Sequence, residues 1–286
     1  MKKKKKISFS TILLMVILIA GLSLLLYPSF SDYWNSFHQT KAIADYSETI
    51  KNMNAAEYAR ILQEARDYND SLLKRKNAFL LSEEQAQRYK ALLNVDKNGV
   101  MGYIEIPAIG CTLPIYHGTA ESVLQIGIGH LDWTSLPVGG EGSHCVLSGH
   151  RGLPTARLFT DLDKLNKGDV FMLRVMDEIL TYEVDQVLIV KPNETDALLI
   201  EDNQDYCTLV TCTPYGINTH RLLVRGRRID NIQEAKAVRV TADAIMVEPL
   251  IVAPIVATPI LLLLLIYLMI PNPSKNKHGG ADDEDE

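Results

Sequence analysis

Two long apolar segments, one near each end of the chain, constrain its fold more than any other feature. Ile7–Tyr27 and Leu250–Ile270 each contain 21 mostly apolar residues without a charged side chain. A helix of that length can cross the roughly 30 Å hydrocarbon core of a bilayer. The sequence therefore predicts two transmembrane helices, at 7–27 and 250–270, which flank the middle of the chain.

The first segment could instead be a cleaved signal peptide, and the second a buried core helix. A signal peptide has a shorter apolar region and a small-residue cleavage site, and no A-x-A site occurs before Pro28. Leu261–Leu265 is an unbroken run of leucines, which disfavours a helix in a soluble core. We therefore favour an uncleaved anchor and a second crossing, in which Pro254 and Pro259 are tolerated.

Five consecutive lysines, Lys2–Lys6, precede the first apolar segment. Because cytoplasmic flanks are enriched in Lys and Arg, residues 1–6 are predicted to be a basic cytoplasmic N-terminus. Two crossings then place the middle of the chain outside the cell and return the C-terminus to the cytoplasm. Residues 271–286 are polar and end in five acidic residues, which predicts a disordered, solvated cytoplasmic tail.

The 286-residue chain has room for one catalytic domain plus appendages, and its formal net charge is −6. A mildly acidic chain argues against nucleic-acid binding, which requires a basic face. Charge and the apolar segments together therefore predict contact with the lipid bilayer and with no nucleic acid.

The segment from Tyr33 to Leu93 contains neither proline nor glycine, which permits long helices. Two N-terminal capping patterns occur in it, Asn54–Glu57 and Ser82–Gln85, and each is followed by apolar residues at helical spacing. Residues 28–98 are therefore predicted to be an extracellular helical region that spaces the next domain from the membrane.

After the polar turn Asn94–Gly99, the pattern changes to short apolar runs separated by Gly, Pro and Asp. Such a pattern predicts a mainly β domain, either a sandwich or a closed barrel, because periodicity does not distinguish the two. We place this domain at 99–232 and a linker at 233–249, with short helical connections at Glu121–Ile128 and Ala156–Leu165. The predicted strands are Gly102–Ile106, Thr112–Tyr116, His144–Leu147, Val170–Val175, Leu180–Val190, Tyr206–Thr211 and Arg221–Ile229.

Three residues of this domain suggest nucleophilic chemistry. Cys212 ends one predicted strand, and a turn containing Pro214 and Gly216 leads to Arg221 in the next. A thiol attacks as its thiolate, which a nearby guanidinium favours because it stays charged. His150, which also follows a short apolar run, is the best candidate for a proton carrier. Taken alone, these residues leave open that Cys212 is a buried, inert thiol.

The remaining cysteines, Cys111, Cys145 and Cys207, form no C-x-x-C pair, so neither a zinc-ribbon nor a redox motif is present. A mixed metal site made of His144, Cys145, His150 and Cys207 is a minor alternative. We predict no metal and no cofactor, and we expect the three cysteines to be packing residues.

Five sequence motifs are spread over the predicted β domain. They are Gly99–Pro107 (GVMGYIEIP), Leu113–Thr119 (LPIYHGT), Ser148–Gly152 (SGHRG), Thr208–Gly216 (TLVTCTPYG) and Asn218–Leu222 (NTHRL). Together they resemble the barrel entry, the histidine motif and the active-site strand pair of sortases. The similarity extends over about residues 99–229 and is greatest to class C, the pilin-polymerising enzymes of Gram-positive bacteria. It implies a closed sortase-type β-barrel.

The resemblance also implies a cysteine transpeptidase with three catalytic residues. Cys212 would form a thioester with an LPxTG-like sorting signal that is cleaved between Thr and Gly. Arg221 would orient the carbonyl or stabilise the oxyanion, and His150 would transfer protons. Tyr215 is a candidate for lining the substrate groove. Class C enzymes pass the acyl group to a lysine amine of another pilin subunit, which implies covalent pilus assembly.

Many class C enzymes carry a lid whose Asp-Pro-aromatic motif plugs the active site. This chain departs from that pattern, because no proline lies between Pro28 and Pro107. Phe79 is the candidate for an aromatic plug in the 28–98 region, although no Asp-Pro precedes it.

The implied partners are pilin subunits with LPxTG-like sorting signals, together with a cell-wall anchoring sortase that acts downstream. One alternative function is that of a cell-wall anchoring sortase, which uses a peptidoglycan-precursor amine. Another is that of a membrane-tethered cysteine protease, which releases the acyl group to water. A non-catalytic membrane scaffold is disfavoured because the motif set is complete.

Overall fold

Eight strands form a closed β-barrel in the computed structural model, which describes residues 9–73, 79–231, 259–261 and 263–264. The strands are β1 Val100–Ile106, β2 Cys111–His117, β3 Ile128–His130, β4 Ser143–Ser148, β5 Val170–Val175, β6 Glu178–Val190, β7 Asp205–Thr213 and β8 His220–Ile229. Around the barrel their order is β1-β2-β3-β4-β7-β8-β6-β5.

The barrel closes where β1 pairs antiparallel with β5, with Tyr103 opposite Arg174. This pairing excludes the sandwich alternative and confirms the closed barrel. Two of the pairings, β2–β3 and β4–β7, are parallel. The β4–β7 pairing matters most for function, because it joins the two strands that lead to His150 and Cys212.

All seven predicted strands are present, and their ends differ from the prediction by no more than two residues. The eighth strand, β3, was not predicted, because its three residues Ile-Gly-His are too few for an alternating pattern. The predicted helical connection Glu121–Ile128 is helical only over α4, Glu121–Leu124. In the other connection, Ala156–Leu165, only Leu162–Lys164 form a helical turn, of the 3₁₀ type.

Three longer helices precede the barrel: α1 Phe9–Lys51, α2 Ala55–Leu72 and α3 Glu83–Ala91. Both predicted caps are present. The Asn54 side chain accepts a hydrogen bond from the Glu57 N–H, and Ser82 and Gln85 form a complete capping box.

The helices share one apolar core with the barrel. Buried side chains of α1, α2 and α3 belong to the same cluster as the residues that fill the barrel interior. The Tyr46 hydroxyl donates to the Met101 carbonyl (2.9 Å) and accepts from the Met176 N–H (2.7 Å). Asn69 bonds both backbone groups of Leu136. The helical region therefore packs on the barrel as well as preceding it.

The described residues from Phe30 to Asn231 form one compact unit, and those before Phe30 belong to another. Within the described part of the chain, α1 is the one helix that is long and apolar enough to cross a membrane. It does not end at the predicted boundary but continues through Pro28 to Lys51. Residues 1–6, 233–249 and 271–286 and most of 250–270 lie outside the described residues, so the second predicted span stays a prediction.

His144, on β4, is a buried neutral histidine. Its Nδ1 donates to the Leu199 carbonyl (2.8 Å), and its Nε2 accepts from the Thr208 hydroxyl (2.7 Å). Burial lowers the pKa of His144 to about 4, against an ordinary value of 6.5. The folded protein therefore resists protonation of this ring, whereas the unfolded chain accepts a proton below pH 6.5.

We expect His144 to make the protein less stable in acid. Because the unfolded chain binds the extra proton, the free energy of unfolding should decline as the pH falls from about 6.5 to about 4, by up to about 3 kcal/mol. Urea titrations across this range should give a shallower decline for His144→Asn than for the native chain. Parallel pH profiles for the two proteins would contradict the assignment.

Candidate functional site

Cys212 and Arg221 lie opposite each other on neighbouring antiparallel strands. The register of β7 and β8 makes their Cα atoms partners. Directly opposed residues point to the same face of a sheet. Leu222, the next residue of β8, belongs to the cluster that fills the barrel interior, so Cys212 and Arg221 lie on the outer face. Cys212 lies within β7, which continues to Thr213, rather than at its end.

The parallel pairing of β4 and β7 brings His150 to the same place. Ser148 is the partner of Val210, and two hydrogen bonds extend this contact to Gly149. The Gly149 N–H donates to the Val210 carbonyl (3.0 Å), and the Thr211 hydroxyl donates to the Gly149 carbonyl (2.8 Å). The described β4–β7 pairing ends at Ser148 and Val210, two residues before His150 and Cys212, so the same register predicts that His150 is the neighbour of Cys212. β4 thus leads to His150 at the end of the sheet where Cys212 and Arg221 face each other.

Gly149, between β4 and His150, is required because a side chain has no space at this position. A Cβ atom at Gly149 would lie 2.6 Å from Ile128 Cδ1 and 2.7 Å from Phe159 Cδ2. Phe159 is fully buried, and its N–H donates to the His150 carbonyl (3.1 Å). The ring that would clash thus belongs to the residue that anchors the His150 backbone.

Gly149→Ala is expected to destabilise the protein by about 1–3 kcal/mol, because the extra methyl group overpacks the site. The same displacement should move His150 and slow the predicted formation of a thioester on Cys212. Ile128→Val, which removes the Cδ1 atom that would lie 2.6 Å from the new methyl group, should recover part of both losses when combined with Gly149→Ala. The melting temperature and the rate of thioester formation are measured for the native chain, both single variants and the double variant. Strictly additive effects would argue against the contact.

The Arg221 guanidinium is held by the β7–β8 turn. Its Nη1 donates to the carbonyls of Asn218 (3.2 Å) and His220 (3.1 Å). Both of these bonds use one nitrogen of the planar fork, which has five N–H donors in all. The remaining donors can therefore face a substrate carbonyl on the same side of the sheet as Cys212.

Glu121 is a neighbour of the site that the sequence did not suggest. Its Oε1 lies 3.5 Å from His150 Nε2, which is near enough for electrostatic attraction but long for a hydrogen bond. Among the described residues, His150 Nε2 has no hydrogen-bond partner. Nothing in the local sequence marks Glu121, because one acidic residue before a short helical turn is ordinary.

The other cysteines are poorly suited to attack a substrate. Cys145 and Cys207 face each other across β4 and β7 and are 2% and 0% exposed. Burial raises the pKa of Cys207 well above its ordinary value and that of Cys111 to about 12. Among the described residues no group of three or more His, Cys, Asp or Glu side chains could hold a metal ion.

Tyr215 joins the loop after Cys212 to the loop after His150. The Arg151 guanidinium lies over the Tyr215 ring, 5.8 Å from its centroid, and Arg151 also forms an ion pair with Asp163. A Cβ atom at Gly152 would lie 2.8 Å from the same ring. Tyr215 is exposed, so its other face is available to a ligand.

Phe79 covers an apolar surface on the outer face of the barrel. Its ring packs edge-on against Trp133, with 4.8 Å between the ring centroids. Trp133 in turn packs on the cluster formed by Val146, Leu198, Val210 and Leu223. Val210 lies two residues before Cys212, on the same face of β7. The sequence did not suggest Trp133, whose role depends on a contact between distant segments.

Proteins of known family resemble this chain in both sequence and fold. A family model described as "Sortase domain" matches residues 104–229. Sortase D of Bacillus subtilis (strain 168) is 31% identical over 151 residues, which cover 52% of this chain and 73% of that protein. The crystal structure of sortase C1 from Streptococcus agalactiae is 48% identical, with a TM-score of 0.65, and the match covers 67% of this chain and 100% of that one.

A second solved structure, sortase C of Streptococcus pneumoniae, is 46% identical with a TM-score of 0.61. The match covers 67% of this chain and 97% of that one, and the structure is described as informative on catalysis and pilin substrate specificity. The structural relatives are thus class C sortases, and the match spans nearly all of each.

Proposed function

Because the chain belongs to the sortase family, whose members are cysteine transpeptidases, we propose that it polymerises pilins. It cleaves an LPxTG-like sorting signal between Thr and Gly and transfers the acyl group to a lysine amine of a pilin subunit. The observation that carries the proposal is the Cys212–Arg221 pair on the outer face, at the end of the sheet where β4 leads to His150. The similarity to class C structures supports pilin as the substrate class.

In the first half-reaction, the Cys212 thiolate attacks the carbonyl carbon of the signal's threonine. The C–S bond forms, and the electron pair of the carbonyl moves to the oxygen, where the Arg221 guanidinium stabilises the negative charge. His150 then donates a proton to the nitrogen of the leaving glycine as the C–N bond breaks. The products are a thioester on Cys212, a free amine and a neutral His150.

In the second half-reaction, the lysine amine attacks the thioester carbonyl. His150 accepts a proton from the attacking nitrogen, the C–N bond of the isopeptide forms, and the C–S bond breaks to release the thiolate. Arg221 again stabilises the oxyanion. Thiolate and imidazolium are both restored, so the enzyme returns to its starting state without another reactant.

Phe79 is proposed to serve as the aromatic cover of the substrate groove. Its contact with Trp133, which packs on the apolar cluster beside Cys212, supports this role. Tyr215, exposed at the other side of the site, is proposed to line the groove. The missing Asp-Pro motif means that this cover would be held by apolar packing on Trp133.

We further propose that residues 28–98 and 99–232 act outside the cell, held by membrane helices at 7–27 and 250–270. The apolar character of α1 and the sequence of 250–270 support this two-pass arrangement. The lysines at 2–6 favour a cytoplasmic location for the N-terminus, and two crossings would place the acidic tail on the same side.

The decisive experiment incubates the full-length protein, in detergent, with a sorting-signal peptide and a purified pilin. Intact mass spectrometry should detect an acyl adduct on Cys212, and electrophoresis should show a ladder of crosslinked pilin. An adduct that is released only to water would indicate a protease. Transfer to a peptidoglycan-precursor amine but not to pilin would indicate a cell-wall anchoring enzyme.

A further inference from the structure

Four large aromatic side chains form a stripe along one face of α1. Phe30, Tyr33, Trp34 and Phe37 follow one another at positions i, i+3, i+4 and i+7, the spacing of one helical face. They are 66%, 71%, 56% and 58% exposed. Apolar side chains that are exposed singly are normal on protein surfaces. A contiguous group of four exposed aromatic side chains on one helix face instead marks a site of interaction.

The opposite side of the same helical segment is bound to the barrel. Asn35 Nδ2 donates to the Thr155 carbonyl (2.7 Å), and the Arg157 N–H donates to Asp32 Oδ1 (2.9 Å). Gln39 Nε2 donates to the Ile126 carbonyl (2.9 Å). The aromatic stripe is therefore a rigidly supported outward face and belongs to the same compact unit as the barrel.

The loops that this segment binds are the loops that hold His150. Thr155 and Arg157 lie between His150 and Phe159, whose N–H donates to the His150 carbonyl. Ile126 follows α4, which carries Glu121 next to His150. Whatever the aromatic stripe binds is thereby fixed close to the catalytic end of the barrel.

We infer that the aromatic stripe lies in the lipid–water interface of the membrane and holds the His150 loops at the bilayer surface. The stripe begins three residues after the apolar segment Ile7–Tyr27 ends, which is where interfacial aromatic belts occur. Tyr and Trp suit this location because their rings are apolar and each carries one polar group. If the proposed function holds, the site lies at the level of the bilayer surface, where the sorting signal of a membrane-anchored substrate would leave the membrane.

The location of Trp34 can be measured directly. Trp34 and Trp133 are the two tryptophans of the chain, so a Trp133→Phe background leaves Trp34 as its sole indole. The full-length protein is reconstituted in vesicles of phosphatidylcholine and phosphatidylglycerol, with lipids brominated near the headgroup end of the acyl chain. We expect these lipids to quench Trp34 fluorescence and aqueous acrylamide to quench it weakly.

Two other results would overturn the inference. Strong quenching by acrylamide without quenching by brominated lipid would place Trp34 in water. Protection from both quenchers would place it against protein, for example a second copy of the chain. This measurement does not depend on enzymatic activity, so it remains decisive even if the proposed function is wrong.

A functional test compares two substrates: a sorting-signal peptide with its own apolar anchor in the same vesicle, and a soluble sorting-signal peptide. Combined substitution of Phe30, Trp34 and Phe37 by serine should slow turnover of the anchored peptide about tenfold, because the effective concentration at the site falls. Turnover of the soluble peptide should be unchanged. Glu48→Ser, an exposed change further along α1, is the matched control. Equal losses on both substrates, or no loss on either, would contradict the inference.

Discussion

Cys212→Ala is expected to abolish both the acyl adduct and pilin transfer, with a loss of at least about 10⁴-fold in turnover. No other thiol can replace Cys212, because Cys145 and Cys207 are enclosed in the barrel and the raised pKa of Cys111 keeps that thiol protonated. The substitution removes one sulfur atom from a partly exposed position, so the barrel should stay folded.

Cys111→Ala is the matched control for this experiment. Cys111 is also partly exposed but lies on β2, where its sulfur is 3.9 Å from the Leu158 carbonyl, outside the β4-β7-β8 sheet. We expect this variant to keep the adduct and the pilin ladder. Adduct formation by the Cys212→Ala protein, detected by intact mass spectrometry and assigned by peptide mapping, would defeat the assignment of the nucleophile.

Arg221→Lys is expected to lower the rate of thioester formation by about 10²–10³-fold, although the positive charge is kept. Lysine presents a single ammonium group, so it cannot hold the turn carbonyls of Asn218 and His220 while it also binds a developing oxyanion. The loss should lie mainly in kcat, because the oxyanion exists in the transition state and not in the bound peptide.

Arg227→Lys on the same strand controls for a general effect of losing a guanidinium. Arg227 is exposed and belongs to the other end of β8, opposite Tyr206. We expect its rate constants to match those of the native chain. Single-turnover acylation measured by rapid quench separates binding from chemistry. A KM effect without a kcat effect in Arg221→Lys would restrict this arginine to ground-state binding.

Local chemistry explains why much of the site could be predicted. Cys212 and Arg221 are joined by a single turn, so a strand–turn–strand pattern places them opposite each other without reference to the rest of the chain. The helix caps at Asn54 and Ser82 were predictable for the same reason, because each involves residues within one turn of helix. His150 required more, because the resemblance to a known family linked it to a cysteine far along the chain.

The contacts around the three proposed catalytic residues could not be predicted in this way. Glu121 beside His150 and Trp133 under Phe79 depend on how loops that are distant in sequence fold onto the barrel. The short strand β3 was missed because three residues carry no periodic signal, and its pairing with β2 and β4 stabilises it in the fold. Similarly, α1 continues through Pro28 and packs on the barrel loops, whereas the sequence predicted that residues 28–98 are a helical spacer, with Phe79 as a candidate plug.

The sequence alone indicated seven of the eight strands, the two helix caps, the segments that are apolar enough for a membrane and the thiol that stands next to an arginine. Each of these depends on residues that are neighbours along the chain. Tertiary structure decided whether the sheet closes, because a sandwich and a barrel bury alternate residues equally well and only the pairing of β1 with β5 separates them. It also decided that the strand leading to His150 runs parallel beside the strand that carries Cys212, because this pairing joins residues far apart in the sequence.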